Sequence, residues 1–324
     1  MAIFRLWLAA LASLLAVSWS LAQEGGIKTV IDLTHPIPTY HQMADDPVRP
    51  DLTQPWTDLG GYPIIGEQAV LWLRQIPTNN GYIESGRMTL WEHQGTHLDA
   101  PSHFINNAQS AEVPRAASAA SRHHLHEIDA RQLVGPAVVI DISDRVRREL
   151  AKNDGRPSPD RSVTDFSETS SAVVTAQDVE AVADQLRDGV WLVVNLGWSQ
   201  FFTGEPAMQK SPYINASNHP GMSRKATDKL IEIMDRKKIK ISGVMLDNIA
   251  YETGQVAHGD DDKRTNALHG HMRLLQREVL ILENATNLDK VSQAVKGGQC
   301  NIVVGAIKLG WGTGGPARVF ALCS

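Results

Sequence analysis

The chain has 324 residues, 42% of them hydrophobic and 21% charged, so it can bury a substantial core and reads as globular rather than disordered. Lys and Arg number 31 against 36 Asp and Glu, a formal charge of −5, and no basic tract or arm stands ready to neutralise phosphates. Nucleic acid is therefore not an expected partner.

At the N-terminus, Arg5 precedes an apolar run from Leu6 to Trp19, and Ser20 and Ala22 place small residues just before Gln23. The run is shorter than the roughly 20 residues that a membrane span prefers. Residues 1–22 read as a cleaved signal peptide, which leaves 23–324 as one periplasmic or secreted domain without membrane attachment. The two cysteines, Cys300 and Cys323, are too few for a disulfide framework. One bond between them suits an oxidising compartment, but spacing alone leaves the pairing open.

Residues 27–34, IKTVIDLT, alternate apolar and polar and end at His35-Pro36, as a strand does where proline removes a donor. Residues 38–66 hold five prolines and three glycines around Trp56 and Tyr62, the composition of a long functional loop. LVGPAVVIDIS, 133–143, has the pattern of a buried strand, and the polar stretch 152–171 that of an exposed loop. Thr175 can cap a helix whose Val179, Val182, Ala183 and Leu186 share a face and which Gly189 closes. The strand VWLVVNLGW follows. Ser223 caps a second helix ahead of IKISGVMLD, and NALHGHMRLLQRE precedes VLILEN. NIVVGAIKL, 301–309, reads as the last apolar strand, and GWGTGGP, 310–316, as a turn without a P-loop lysine. Repeated helix–strand units define an α/β fold with much of its sheet buried, as a single domain.

The densest chemistry lies in EHQGTHLDAPSHF, 92–104. His97 and Asp99 fall on one face of a strand. Gly95-Thr96 permits the bend that brings His93 to them, and Ala100 before Pro101 is pushed to extended geometry, which keeps the segment carrying His103 out of a helix. Two imidazoles and a carboxylate suit a borderline divalent cation, Mn²⁺ or Zn²⁺, with positions left for water. Such an ion acidifies water toward neutral pH and polarises a carbonyl, while a nearby histidine suits proton transfer. His123, His124 and His126 have no carboxylate or cysteine at ligand spacing and read as helix-start or surface histidines. Asp260-Asp261-Asp262 reads as a solvated turn. Trp72, Trp91, Trp198, Phe201 and Phe202 join Trp56 and Tyr62 as aromatics to which no pocket role is assigned.

The pattern His93-x-Gly95-Thr96-His97-x-Asp99-x-Pro101-x-His103-Phe104 resembles the motif of the metal-dependent cyclase-type hydrolases, which include kynurenine formamidase and isatin hydrolase. NLGWSQFF, HPGMS and the segment 271–291 extend the resemblance over most of the chain. It implies a cyclase-type fold of β-rich, swivelling-domain character and a homodimer or larger homo-oligomer. It further implies His93, His97 and Asp99 as metal ligands, His103 as the proton-transfer residue and ligand of a second metal, and His271 and Glu283 as later ligands of one or two ions. The implied reaction is hydrolysis of the C–N bond of an aromatic amide or lactam. Glu92 before His93 and the export signal incline the substrate toward an isatin-like lactam rather than an aryl formamide. An ester or lactone hydrolase and a non-catalytic exported metal-binding protein are the alternatives.

Overall fold

A computed structural model describes residues 26–37, 39–42, 70–75, 85–89, 91–104, 123–202, 211–258 and 268–324. Residues 1–22, most of the stretch 38–66 and the run Asp260-Asp261-Asp262 lie outside the described residues.

Four parallel strands form the centre of the main sheet: β6 (Val134–Asp141), β7 (Trp191–Asn195), β8 (Gly243–Leu246) and β9 (Leu280–Glu283). Every residue of the last three is buried, which accounts for their continuous apolar sequences. β9 pairs antiparallel with the short β5 (His97–Asp99), and β6 with β10 (Cys300–Ala306). β11 (Gly314–Cys323) pairs with both β10 and β5 and so closes seven strands on themselves, with β1 (Thr29–Asp32) attached to its outer edge. β2 (Thr39–Gln42), β3 (Val70–Gln75) and β4 (Ser85–Thr89) make a separate three-stranded sheet.

The helices α1 (Ser143–Leu150), α2 (Ala176–Ala181), α3 (Arg224–Lys237), α4 (Gly254–His258), α5 (His269–Leu275) and α6 (Leu288–Ala294) complete the α/β fold. Thr175 caps α2 and Ser223 caps α3, each accepting a backbone N–H with its side chain. Alternation along the strands divides two cores. Leu192, Val194, Val244 and Ile281 pack with Leu230 and Ile233 of α3, whereas Trp191, Val193, Met245, Leu280 and Leu282 pack with Leu98, Val319 and Val291 of α6. Gly243 is required there: a Cβ would stand 2.5 Å from the Trp191 ring.

Four expectations are corrected. The last strand is β11, not residues 301–309; its leading Gly314-Gly315-Pro316 conceals a strand start whose hydrogen bonds come from distant β5. α2 ends at Ala181 and a separate 3₁₀ turn, Ala183–Gln185, precedes Gly189, whose φ is +74°. The loop 152–171 is not simply exposed: Thr164 and Phe166 are buried, with Phe166 set edge-on to Trp198 at 5.2 Å. Ala100 is extended as expected, yet Pro101–His103 form one 3₁₀ turn, because proline suits a helical first position.

Cys300 and Cys323 face each other across β10 and β11 and form a disulfide, 23 residues apart in sequence. Closing a loop of that length restricts the unfolded chain by about 3 kcal/mol in the chain-entropy model. A Cys300→Ser/Cys323→Ser protein is expected to lose stability of that order in urea unfolding; an unchanged midpoint would contradict the contribution.

Candidate metal centre

β5 and β9 are in direct register, with His97 opposite Glu283 and Asp99 opposite Ile281. Leu98 points to the core containing Leu280 and Leu282, so His97, Asp99 and Glu283 share the other face, where α5 adds His271. His93 arrives from the preceding turn. Gly95 makes that turn with φ +62°, and its carbonyl accepts hydrogen bonds from the Asn284 amide at 2.9 Å and His97 Nδ1 at 2.8 Å.

All these side chains converge on Asp99, which is fully buried. Its Oδ1 is 2.6 Å from His93 Nδ1 and 3.4 Å from His97 Nε2, and its Oδ2 is 3.4 Å from His271 Nε2. Glu283 reaches His271 Nε2 at 3.1 Å and His97 Nε2 at 3.5 Å, while its Oε1 accepts the Tyr251 N–H at 2.8 Å. Two triads result, His93/His97/Asp99 and Asp99/His271/Glu283, each with donor atoms within 4.8 Å of one another. Asp99 belongs to both.

Whether these residues suit a divalent ion is decided by what each atom lacks. Asp99 Oδ2 is buried without a hydrogen-bond partner, an arrangement that is costly for a carboxylate unless a cation compensates it. His97 directs Nδ1 at the Gly95 carbonyl, and His271 directs Nδ1 at Glu252 Oε2, 2.7 Å away. Each leaves Nε2 facing the carboxylates, the pattern by which outer groups orient metal-binding histidines. The donor set is that of a borderline divalent metal.

Electrostatics point the same way. Burial disfavours charge on His97 and His271, yet the surrounding carboxylates raise both pKa values, His271 well above the ordinary histidine range. Burial would raise the Asp99 pKa, but the neighbouring imidazoles of His93, His103 and His271 hold it well below the usual carboxylate range. Glu252, also buried, is lowered by the charge and hydrogen bonds of His271.

His103 lies beside the cluster and outside both triads. Its ring stacks on His93 at 3.7 Å and meets Phe104 edge-on at 5.0 Å. Desolvation, reinforced by repulsion from His93, His271 and His97, outweighs the attraction of Asp99 and pushes its pKa down to about 3. It is neutral at pH 7.

Of the residues singled out in sequence, His93, His97, Asp99, His271 and Glu283 are brought together, with His103 adjacent. Glu252 was missed: nothing in YETGQ marks it, and it meets His271 only through the packing of α5. His124 caps the 3₁₀ turn Leu125–Glu127, and His123 pairs with Glu278 at 3.0 Å, away from any metal-donor group among the described residues.

The Cyclase family model matches residues 31–253, and the chain belongs to that family. Isatin hydrolase of Roseibium aggregatum is 26% identical over 235 residues, 72% of this chain and 73% of that protein. Kynurenine formamidase of Bacillus mycoides is 33% identical over 66 residues, 20% of this chain and 25% of that enzyme. The solved structure of isatin hydrolase A from Ralstonia solanacearum superposes with a TM-score of 0.59 at 22% identity, covering 96% of this chain and 97% of that one. It has the same fold. No helix among the described residues is long and apolar enough to cross a membrane.

Two predictions follow from the protonation pattern. Glu252→Gln places an amide N–H against a donor of His271 and is expected to weaken divalent-metal binding roughly 10–100-fold. Unchanged affinity in a chelator competition would contradict the orienting role. Raised folded pKa values mean that protons on His97 and His271 stabilise the metal-free fold fully below about pH 6.5, and that this contribution fades as pH rises through the folded values. Metal uptake at pH 7 should therefore release protons, seen by calorimetry in buffers of differing ionisation enthalpy; uptake with no release would refute the assignment.

Proposed function

We propose that the protein is a metal-dependent hydrolase that opens the C–N bond of an aromatic amide or lactam. Asp99, shared by two donor triads and carrying an unpartnered buried oxygen, is the observation that supports this reading most. His93, His97, Asp99, His271 and Glu283 hold Mn²⁺ or Zn²⁺, as one ion or two. When bound, such an ion supplies Lewis acidity, which acidifies water and polarises a carbonyl.

The protein's own task is to move one proton. The oxygen of water adds to the carbonyl carbon, the C–N bond breaks, and the proton lost by water passes through His103 to the departing nitrogen. An imidazole that is neutral at pH 7 has a free nitrogen to accept that proton and can pass it on. Stacking on His93 sets the ring beside the metal ligands.

The names of the relatives support an isatin-like lactam or an aryl formamide as substrate. The longer match to isatin hydrolase favours the lactam. Export after removal of residues 1–22 and assembly as a homodimer or larger homo-oligomer complete the proposal.

Turnover of isatin, an aryl formamide and an aryl lactone tests the substrate class: the first or second should be hydrolysed, and activity on none of the three would reject it. His103→Ala should keep its metal in elemental analysis and lose turnover by roughly 10²–10⁴-fold. Retention of both metal and turnover would remove His103 from the proton path.

A further inference from the structure

The run 310–316, a plain turn by composition, is built into the wall behind His93. Gly314, Gly315 and Pro316 pair with Asp99, Leu98 and His97 of β5, and the Thr313 carbonyl accepts the Ala100 N–H at 2.9 Å. Gly314 lies so close beneath His93 that a Cβ would stand 2.3 Å from the ring's Cε1. Beside it, Thr313 Oγ1 is 3.1 Å from His93 Nε2. The same hydroxyl donates to Glu92 Oε2 at 2.7 Å, and that oxygen also accepts the Thr313 N–H at 2.9 Å.

A hydroxyl has one proton to donate. With that proton directed to Glu92, Thr313 Oγ1 can meet His93 Nε2 only as an acceptor, so Nε2 is the donor. The opposite edge of the ring then presents Nδ1 to Asp99, 2.6 Å away. This reverses the other two imidazoles, which direct Nδ1 at the Gly95 carbonyl and Glu252 and leave Nε2 toward the carboxylates.

We propose that Thr313, oriented by Glu92, is a positioning residue that fixes His93 with a proton on Nε2 and thereby selects Nδ1 as the nitrogen offered to a divalent ion. This inference rests on the metal-centre reading above, and its first readout needs no metal. Long-range ¹H–¹⁵N spectra of the full chain, with His93 assigned by its loss in His93→Gln, report which ring nitrogen carries a proton. In metal-free wild type and in Thr313→Ser, His93 should show a hydrogen-bonded Nε2 proton. Thr313→Val, equal in shape but without the acceptor oxygen, should lose that signature. Glu92→Ala, which frees the hydroxyl to turn its proton toward the ring, should lose it as well.

Zinc affinity measured against a chromophoric chelator should fall roughly 10–100-fold in Thr313→Val and recover in Thr313→Ser. An Nε2 proton retained in both Thr313→Val and Glu92→Ala would overturn the inference. Failure of wild type to bind zinc, with the Nε2 signature present and lost as described, would instead overturn the metal-centre reading and leave the positioning of His93 supported.

Discussion

A carboxylate sealed from solvent, Asp99, is the constraint on which the rest of the site depends. Burying a charged group is expensive unless it is paired and hydrogen-bonded. Three imidazoles approach Asp99, yet its Oδ2 has no hydrogen bond. The fold supplies this arrangement by closing its sheet: β5 is held between β9 and β11, and neither edge of the three-residue strand can drift. His97 and Asp99 are fixed by that double pairing, and Glu283 comes into range because it is the register partner of His97.

Around the donors lies a second layer that decides how each is presented. The Gly95 carbonyl holds His97, Glu252 holds His271, and Thr313 with Glu92 stands against His93. These contacts come from a turn, a loop and the start of the closing strand, so the protonation of the ligands is set by elements far apart in sequence. His103 is treated differently. It has ring contacts and lies outside the donor triads, and its environment keeps it neutral, which suits a group that passes a proton on rather than holding one.

The parts of this arrangement legible in the sequence are those encoded locally. Three of the four parallel strands announce themselves as short apolar runs because both faces are buried, and Thr175 and Ser223 mark helix starts by capping chemistry. The thirteen residues from Glu92 to Phe104 carry their own spacing, and the resemblance they bear to a known family reaches His271 and Glu283. What was hidden depends on closure. β11 begins with Gly-Gly-Pro and has meaning as a strand only once β5 is beside it, so Thr313 read as part of a turn. Glu252 gives no local sign of its role because its partner, His271, is 19 residues away on a helix. Phe166 and Thr164 sit in a polar stretch, and their burial follows from contacts with Trp198 and Asn218 that no local pattern reveals.

The central claim is that imidazoles and carboxylates converging on Asp99 bind a divalent ion directly. X-ray absorption spectroscopy at the metal edge of the zinc-loaded protein tests it without reference to substrate. Nitrogen and oxygen ligands at about 2.0–2.2 Å with the multiple scattering of imidazole rings are the predicted result. A shell of oxygen alone, without imidazole scattering, would contradict the account.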